Sequence, residues 1–168
     1  IITVCLNERT RIEKTINSIV HQKCQEFEWI VIDGGSTDGT LDILNMHRDR
    51  MRVFVSEKDQ GIYHAMNKGI RLAQGEYCLF MNGGDEFYDP HVIDKFHSFD
   101  KKADYNYGGI VVVRVGDRTP QHIDPISNLK HYLYKRTLLH QSSFIRTELF
   151  KKYGGYDTAF EVLADQEF

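Results

Sequence analysis

The sequence predicts an α/β domain built on a mostly parallel sheet flanked by helices. Three observations carry that expectation. Short, β-branched apolar runs alternate with stretches of helical period through residues 1–100. Several of these runs end directly in polar loops rich in glycine and acid. Strand followed by helix, repeated, implies βαβ units whose parallel strands lie buried between helices.

Residues 1–6 form the first apolar run, suited to a buried strand. Thr10 stands three residues before Glu13, the spacing of a capping box. Ile12, Ile16, Ile19 and Val20 then line one face of a helix. Residues 29–32 read as a second buried strand, followed by a glycine-rich loop over 33–38 and a short helix with Leu41 and Leu44 inward. Residues 52–56 read as a third strand. Ile62, Ala65, Met66, Ile70 and Ala73 share one face of the clearest helix, with Gly75 placed to end it. Residues 77–81 are another strand. Asp89 and Pro90 read as the N-cap and first turn of a helix carrying Val92, Ile93 and Phe96.

Beyond residue 100 the rhythm changes. Residues 109–115 are strongly β, Gly116-Asp117 offers a turn, and 117–129 reads as a surface loop. Residues 142–145 suit a strand, and Thr147 a cap for a short helix through Lys152, ended by Gly154 and Gly155. A smaller, antiparallel β part is therefore expected after the parallel one.

With 168 residues, one domain is expected. The chain opens on Ile1 and reads as cut at both ends from something longer. A net charge of −3 argues against nucleic acid as the main partner. Cys5, Cys24 and Cys78 follow no metal-ligand spacing and read as buried thiols of a reducing, cytoplasmic compartment. The eight histidines show no metal pattern either. No apolar run approaches the roughly 20 residues of a membrane helix.

In open α/β sheets, ligands bind beyond the C-terminal ends of the strands. Three loops sit there: Asn7-Glu8, D-G-G-S-T-D-G-T over residues 33–40, and N-G-G-D over 82–85. The second suits close approach of backbone to a ligand, or simply turn and cap chemistry. The third suits a carboxylate holding Mg²⁺ or Mn²⁺, or a tight turn. Asp165, in A-D-Q-E-F, is either a helix N-cap or a general base.

Together these segments resemble a known family. The carrying stretches are I-I-T-V-C-L-N-E from Ile1, W-I-V-I-D-G-G-S-T-D-G-T from Trp29, S-E-K-D-Q-G-I-Y-H-A-M-N-K-G-I from Ser56, and G-E-Y-C-L-F-M-N-G-G-D from Gly75. L-H-Q-S-S-F-I from Leu139 and A-D-Q-E-F from Ala164 complete the set. The chain resembles the family 2 glycosyltransferases of the GT-A fold, among them bacterial enzymes of colanic-acid and polysaccharide biosynthesis. The resemblance implies a donor nucleotide-binding half over residues 1–100 and an acceptor and catalytic-base half over 101–168. It places Val4, Leu6, Glu8 and Asp33 in the nucleoside pocket and extends the donor site to Asn7, Gly35, Ser36, Gly61, Asn67, Asn82, Gly83 and Gly84. Asp85 matches the metal-binding carboxylate, Asp165 the catalytic base, and His140-Gln141 a pair contacting donor or acceptor.

The implied reaction is inverting transfer from a nucleotide sugar, with a UDP-sugar the expected donor, to a hydroxyl of a saccharide or lipid-linked acceptor. The implied location is the cytoplasm, with contact to the inner membrane face through segments outside this chain. Three departures stand out. Gly34 replaces a second acid of the nucleoside loop, which weakens the inference of uridine. Asn82 and Gly84 replace acids of the metal motif. Met66 precedes Asn67 where many relatives carry Arg, leaving Lys58, Lys68 or a segment outside this chain for the diphosphate. A sugar-nucleotide-forming nucleotidyltransferase and a non-catalytic sugar-nucleotide-binding module remain as alternatives. The first would call for a basic glycine-rich loop after the first strand, where Asn7-Glu8-Arg9-Thr10 stands instead.

Overall fold

The computed structural model describes residues 1–99, 103–113, 121–123 and 139–159. Three parallel strands, β1 (Ile2–Cys5), β2 (Ile30–Asp33) and β3 (Val53–Ser56), pair in the order β1-β2-β3. Helices α1 (Ile12–Val20), α2 (Thr40–Asn45) and α3 (Ile62–Leu72) fall in the connections around them. After β4 (Tyr77–Cys78) the chain runs on beside β1: Ile2 N donates to Leu79 O, Met81 N to Ile2 O and Gly83 N to Val4 O. Then come α4 (Val92–Ser98), β5 (Tyr105–Tyr107), β6 (Ile110–Val112), β7 (Gln121–Ile123), β8 (Ser143–Arg146) and α5 (Thr147–Tyr153). β8 lies between β4 and β5, antiparallel to both, and β6 pairs antiparallel with β7. The segment 77–83 thus joins the parallel sheet to the antiparallel one.

Side chains alternate across this sheet, as a strand period of two requires. Trp29, Val31, Leu79 and Met81 face a core made with Ile12, Ile16, Ile19 and Leu44 of α1 and α2. Ile2, Val4, Ile30, Ile32 and Phe80 face a second core made with Tyr63, Ala65 and Met66 of α3 and Phe150 of α5. β1 and β2 are buried on both faces, which is why they read as continuous apolar runs, whereas β3 is only half-buried.

Several expectations are corrected. The capping box does not form: α1 starts after Arg11, and Glu8 O accepts from Arg11 N and Ile12 N, closing the first turn through the main chain. α3 ends with extended backbone at Ala73, ahead of Gly75, and Glu28 Oε1 takes the amides of Gln74 and Gly75. Helix α4 starts at Val92 because Asp89 Oδ1 bonds His91 N in a turn around Pro90. Thr147 is the first residue of α5 and donates to Gly75 O instead of capping it. Residues 121–123 of the expected loop form β7; the remainder of 117–129 and the Gly116-Asp117 turn lie outside the described residues. Cys24 is half-buried, while Cys5 and Cys78 are buried, and all three thiols are free.

Candidate active site

The parallel strands bring the first two polar loops to one edge, and side-chain bonds to backbone lace them together. Asn7 N donates to Ser36 Oγ (2.8 Å), and Thr37 N donates to Asn7 Oδ1 (2.9 Å). Glu8 N donates to Thr40 Oγ1 (2.8 Å), and Arg9 N to Asp38 Oδ2 (3.0 Å). Asp33 is fully buried beneath this lacing. Its carboxylate accepts from Gly35 N (3.0 Å), Ser36 N (2.9 Å), Ser56 Oγ (2.8 Å) and the Ser36 hydroxyl. Asp33 and Ser36 therefore hold the loop's shape with their polar groups already engaged. Val4 is buried in the core below, and Leu6 is 55% exposed at the rim.

The third loop is built differently. Thr15, buried on the apolar face of α1, donates to Asp85 O (2.6 Å) and accepts from Gly84 N (2.9 Å). Gly83 lets this loop pack onto β1: a Cβ there would stand 2.8 Å from Glu8 Cγ and 2.9 Å from Cys5 Cβ. From the far side, the turn before β8 brings His140 and Gln141. Asn82 Nδ2 lies 3.1 Å from His140 Nε2, and the Gln141 side chain is close enough to the Asp85 carboxylate to favour its charged form. Three buried oxygens here, Asn82 Oδ1, Asp85 Oδ2 and Gln141 Oε1, have no hydrogen-bond partner among the described residues. Burial pushes the Asp85 carboxyl above the ordinary Asp range, against the opposing pull of His140, Gln141 and Arg11.

Buried polar oxygens without partners are rare and call for a ligand. A carboxylate with two neutral amide oxygens is a hard, all-oxygen set, which fits Mg²⁺ or Mn²⁺. The residues present therefore fit the expected metal.

Other expected site residues divide. Gly35 approaches Lys58 Cα, and Gly61 stands open at the start of α3. Asn67 is taken up elsewhere: its Nδ2 donates to Tyr156 O (2.7 Å) and its Oδ1 accepts from Tyr156 N (2.9 Å). That amide brackets the segment after α5 onto α3. Lys68 is likewise engaged, by Glu57 (2.8 Å) and Asp59 (2.6 Å), whereas Lys58 is exposed. Asp165 lies outside the described residues. Sequence reasoning missed Thr15 and Arg11. Thr15 shows only as one hydroxyl within an apolar stripe. Arg11, paired with Glu8 (2.7 Å), sits beside Gly84 and adds positive charge near Asp85; its signal is an i,i+3 acid–base pair.

The model of glycosyl transferase family 2 matches residues 1–151. The chain belongs to that family. A PGL/p-HBAD biosynthesis glycosyltransferase of Mycobacterium tuberculosis is 34% identical across all of this chain, which spans 66% of that relative. A putative teichuronic acid biosynthesis glycosyltransferase of Bacillus subtilis is 37% identical over 90 residues, 52% of this chain and 36% of the relative. Among solved structures, S. aureus TarS 1–349 in complex with UDP-GlcNAc superposes with a TM-score of 0.76 at 21% identity, covering 98% of this chain and 51% of TarS. The mannosyltransferase PcManGT from Pyrobaculum calidifontis, in complex with GDP-Man and Mn²⁺, gives 0.68 at 22%, covering 98% and 49%. The fold of this family 2 member is thus that of the GT-A glycosyltransferases. Among its described residues, no helix is long and apolar enough to cross a membrane.

Proposed function

We propose that this chain transfers a sugar from a nucleotide-sugar donor, with a UDP-sugar the expected one, to a hydroxyl acceptor in polysaccharide or glycolipid biosynthesis. The observation that carries the reading is the set of buried oxygens on Asn82, Asp85 and Gln141 that have no partner among the described residues, at the sheet edge where such folds bind ligands. The names of the relatives, and the nucleotide sugars bound by the structural neighbours, support the substrate class. The 168 residues act as one domain, with donor contacts in residues 1–100 and acceptor and base contacts in 101–168. The acceptor is a saccharide or a lipid-linked one, and the reaction runs in the cytoplasm, at the membrane face where the acceptor is lipid-linked.

Asp85 would hold a Mg²⁺ or Mn²⁺, with Asn82 and Gln141 contributing neutral oxygens, and the ion when bound would supply positive charge that favours departure of the diphosphate. His140 fixes the Asn82 amide so that Oδ1 stays turned away from the ring. Arg11 and Lys58 bring further positive charge to the donor side. Asp165 takes the proton from the acceptor hydroxyl as that oxygen attacks the anomeric carbon, a contribution of roughly 10²–10⁴ in rate. One displacement with one base inverts the anomeric configuration.

The test is transfer and donor hydrolysis across a panel of nucleotide sugars with Mn²⁺, on the native protein and Asp165→Asn. The expected result is transfer from one donor class, falling by roughly 10²–10⁴ in the variant with donor binding kept. An unchanged rate in Asp165→Asn overturns the base. Metal-dependent binding without turnover by the native protein makes it a binding module instead.

A further inference from the structure

The connection between α1 and β2 is fastened to the start of α4. Gln22, only 3% exposed, donates through Nε2 to Asp89 O (2.8 Å) and accepts through Oε1 from Ile93 N (3.2 Å). Lys23 N donates to Pro90 O (2.8 Å). These bonds fix two segments that are distant in sequence. They set Cys24 and Glu26 of the connection opposite His97, in the last turn of α4. One ligand atom from each, a thiol sulfur, a carboxylate oxygen and an imidazole nitrogen, lies within 4.8 Å of the other two. Cys24 is half-buried against the first core, and Glu26 and His97 are exposed. The cluster lies ahead of the N-terminal end of β2, whereas Asp33 and the candidate active site lie at the C-terminal ends of the strands.

We propose that Cys24, Glu26 and His97 form a zinc site that clips the α1–β2 connection to α4. Thiolate, imidazole and carboxylate are the ligand types zinc takes, at roughly 2.0–2.3 Å. Such bond lengths put tetrahedral ligand atoms about 3.3–3.6 Å apart. The cluster reaches that spacing by closing at most about 1.5 Å through side-chain rotation, with the backbone already held by Gln22. Water completes the fourth position. The sulfur ligand makes this site soft, and so separates it from the all-oxygen set around Asp85. Binding releases the Cys24 thiol proton. The sequence shows no metal pattern here because the third ligand comes from a different element.

Cys24 offers a specific readout, since Cys5 and Cys78 are 8% and 1% exposed. The whole chain, stripped with chelator, is titrated with Cd²⁺ while the ultraviolet thiolate-to-cadmium charge-transfer band is followed. Zn²⁺ is added in parallel while the reaction of the accessible thiol with a disulfide reagent and the thermal melt are followed. The band appears in the native protein and is absent in Cys24→Ser. His97→Ala lowers the affinity by at least the about 10–100-fold that even an outer-sphere partner is worth. Zn²⁺ slows thiol modification and raises Tm in the native protein, and leaves the Tm of Cys24→Ser unchanged. A missing band, or an affinity unchanged in His97→Ala, overturns the site. The donor-site reading is untouched by either result, because it is tested with Mn²⁺ and nucleotide.

Discussion

The loop after β2 and the loop after residue 81 are equally rich in glycine and acid, yet their polar groups are in opposite states. In the first, Asp33 is fully buried and its carboxylate bonds Gly35 N, Ser36 N and the hydroxyls of Ser36 and Ser56. In the second, Asp85 Oδ2, Asn82 Oδ1 and Gln141 Oε1 are buried without partners among the described residues. A buried carboxylate that is saturated stabilises its loop, whereas one left unsatisfied keeps a desolvation penalty that a ligand can relieve. Polar composition therefore marks both loops, and the state of their hydrogen bonds is what distinguishes a loop that is already satisfied from one that is a candidate for a ligand.

Substitution separates the two most sharply. Asp33→Ala strands several buried donors at once, and we expect a loss of about 3–4 kcal/mol, a fall of about 10 °C in Tm by calorimetry. An unchanged melt would remove Asp33 from the scaffold. Asp85→Ala is expected to do the reverse. Isothermal titration should show Mn²⁺-dependent UDP binding weakened by at least about 100-fold, or about 2.7 kcal/mol, while the metal-free melt does not fall. Full Mn²⁺-dependent binding in that variant would sink Asp85 as the ligand. Gln141→Ala tests the neutral half of the set. Loss of one amide oxygen is expected to weaken Mn²⁺ about tenfold, or about 1.4 kcal/mol, in the same titration.

Much of the fold was legible because it rests on local pattern. Ile30 and Ile32 alternate with Trp29 and Val31, and α1 and α3 carry one apolar stripe each. β7 was not legible: Gln121, His122 and Ile123 are exposed, and what makes them a strand is β6, a non-local partner. The candidate site could be read from the sequence only as positions along the chain, not as bonding states. Ser56, which helps saturate Asp33, comes from β3, and His140, which holds Asn82, comes from beyond the parallel half. Asn67 shows the same limit. Its motif places it at the donor, but its amide grips Tyr156, and a Cβ on Gly155 would stand 2.2 Å from its Oδ1.

The smallest expected effect is the most diagnostic, because it reverses the usual sign of a mutation. Burial raises the Asp85 carboxyl above its ordinary range, so the folded chain holds that proton more tightly than the unfolded one. The resulting stabilisation is complete below the ordinary Asp value and is lost as pH rises through the raised folded value. Above it, the charged carboxylate is a constant burden on the metal-free protein. Asp85→Asn removes that burden, so its metal-free melt at neutral pH is expected to lie about 2–4 °C above the native one, the effect of ~1 kcal/mol in a domain of this size. The gap should close as pH falls toward the ordinary Asp value, where the native carboxyl is protonated. Saturating Mn²⁺ should reverse the order at neutral pH by stabilising only the native protein, and native Mn²⁺ affinity should fall with pH as the proton competes for Oδ2. A gap independent of pH, or a variant less stable than the native chain without metal, would show that Asp85 is satisfied like Asp33 and erase the distinction between the two loops.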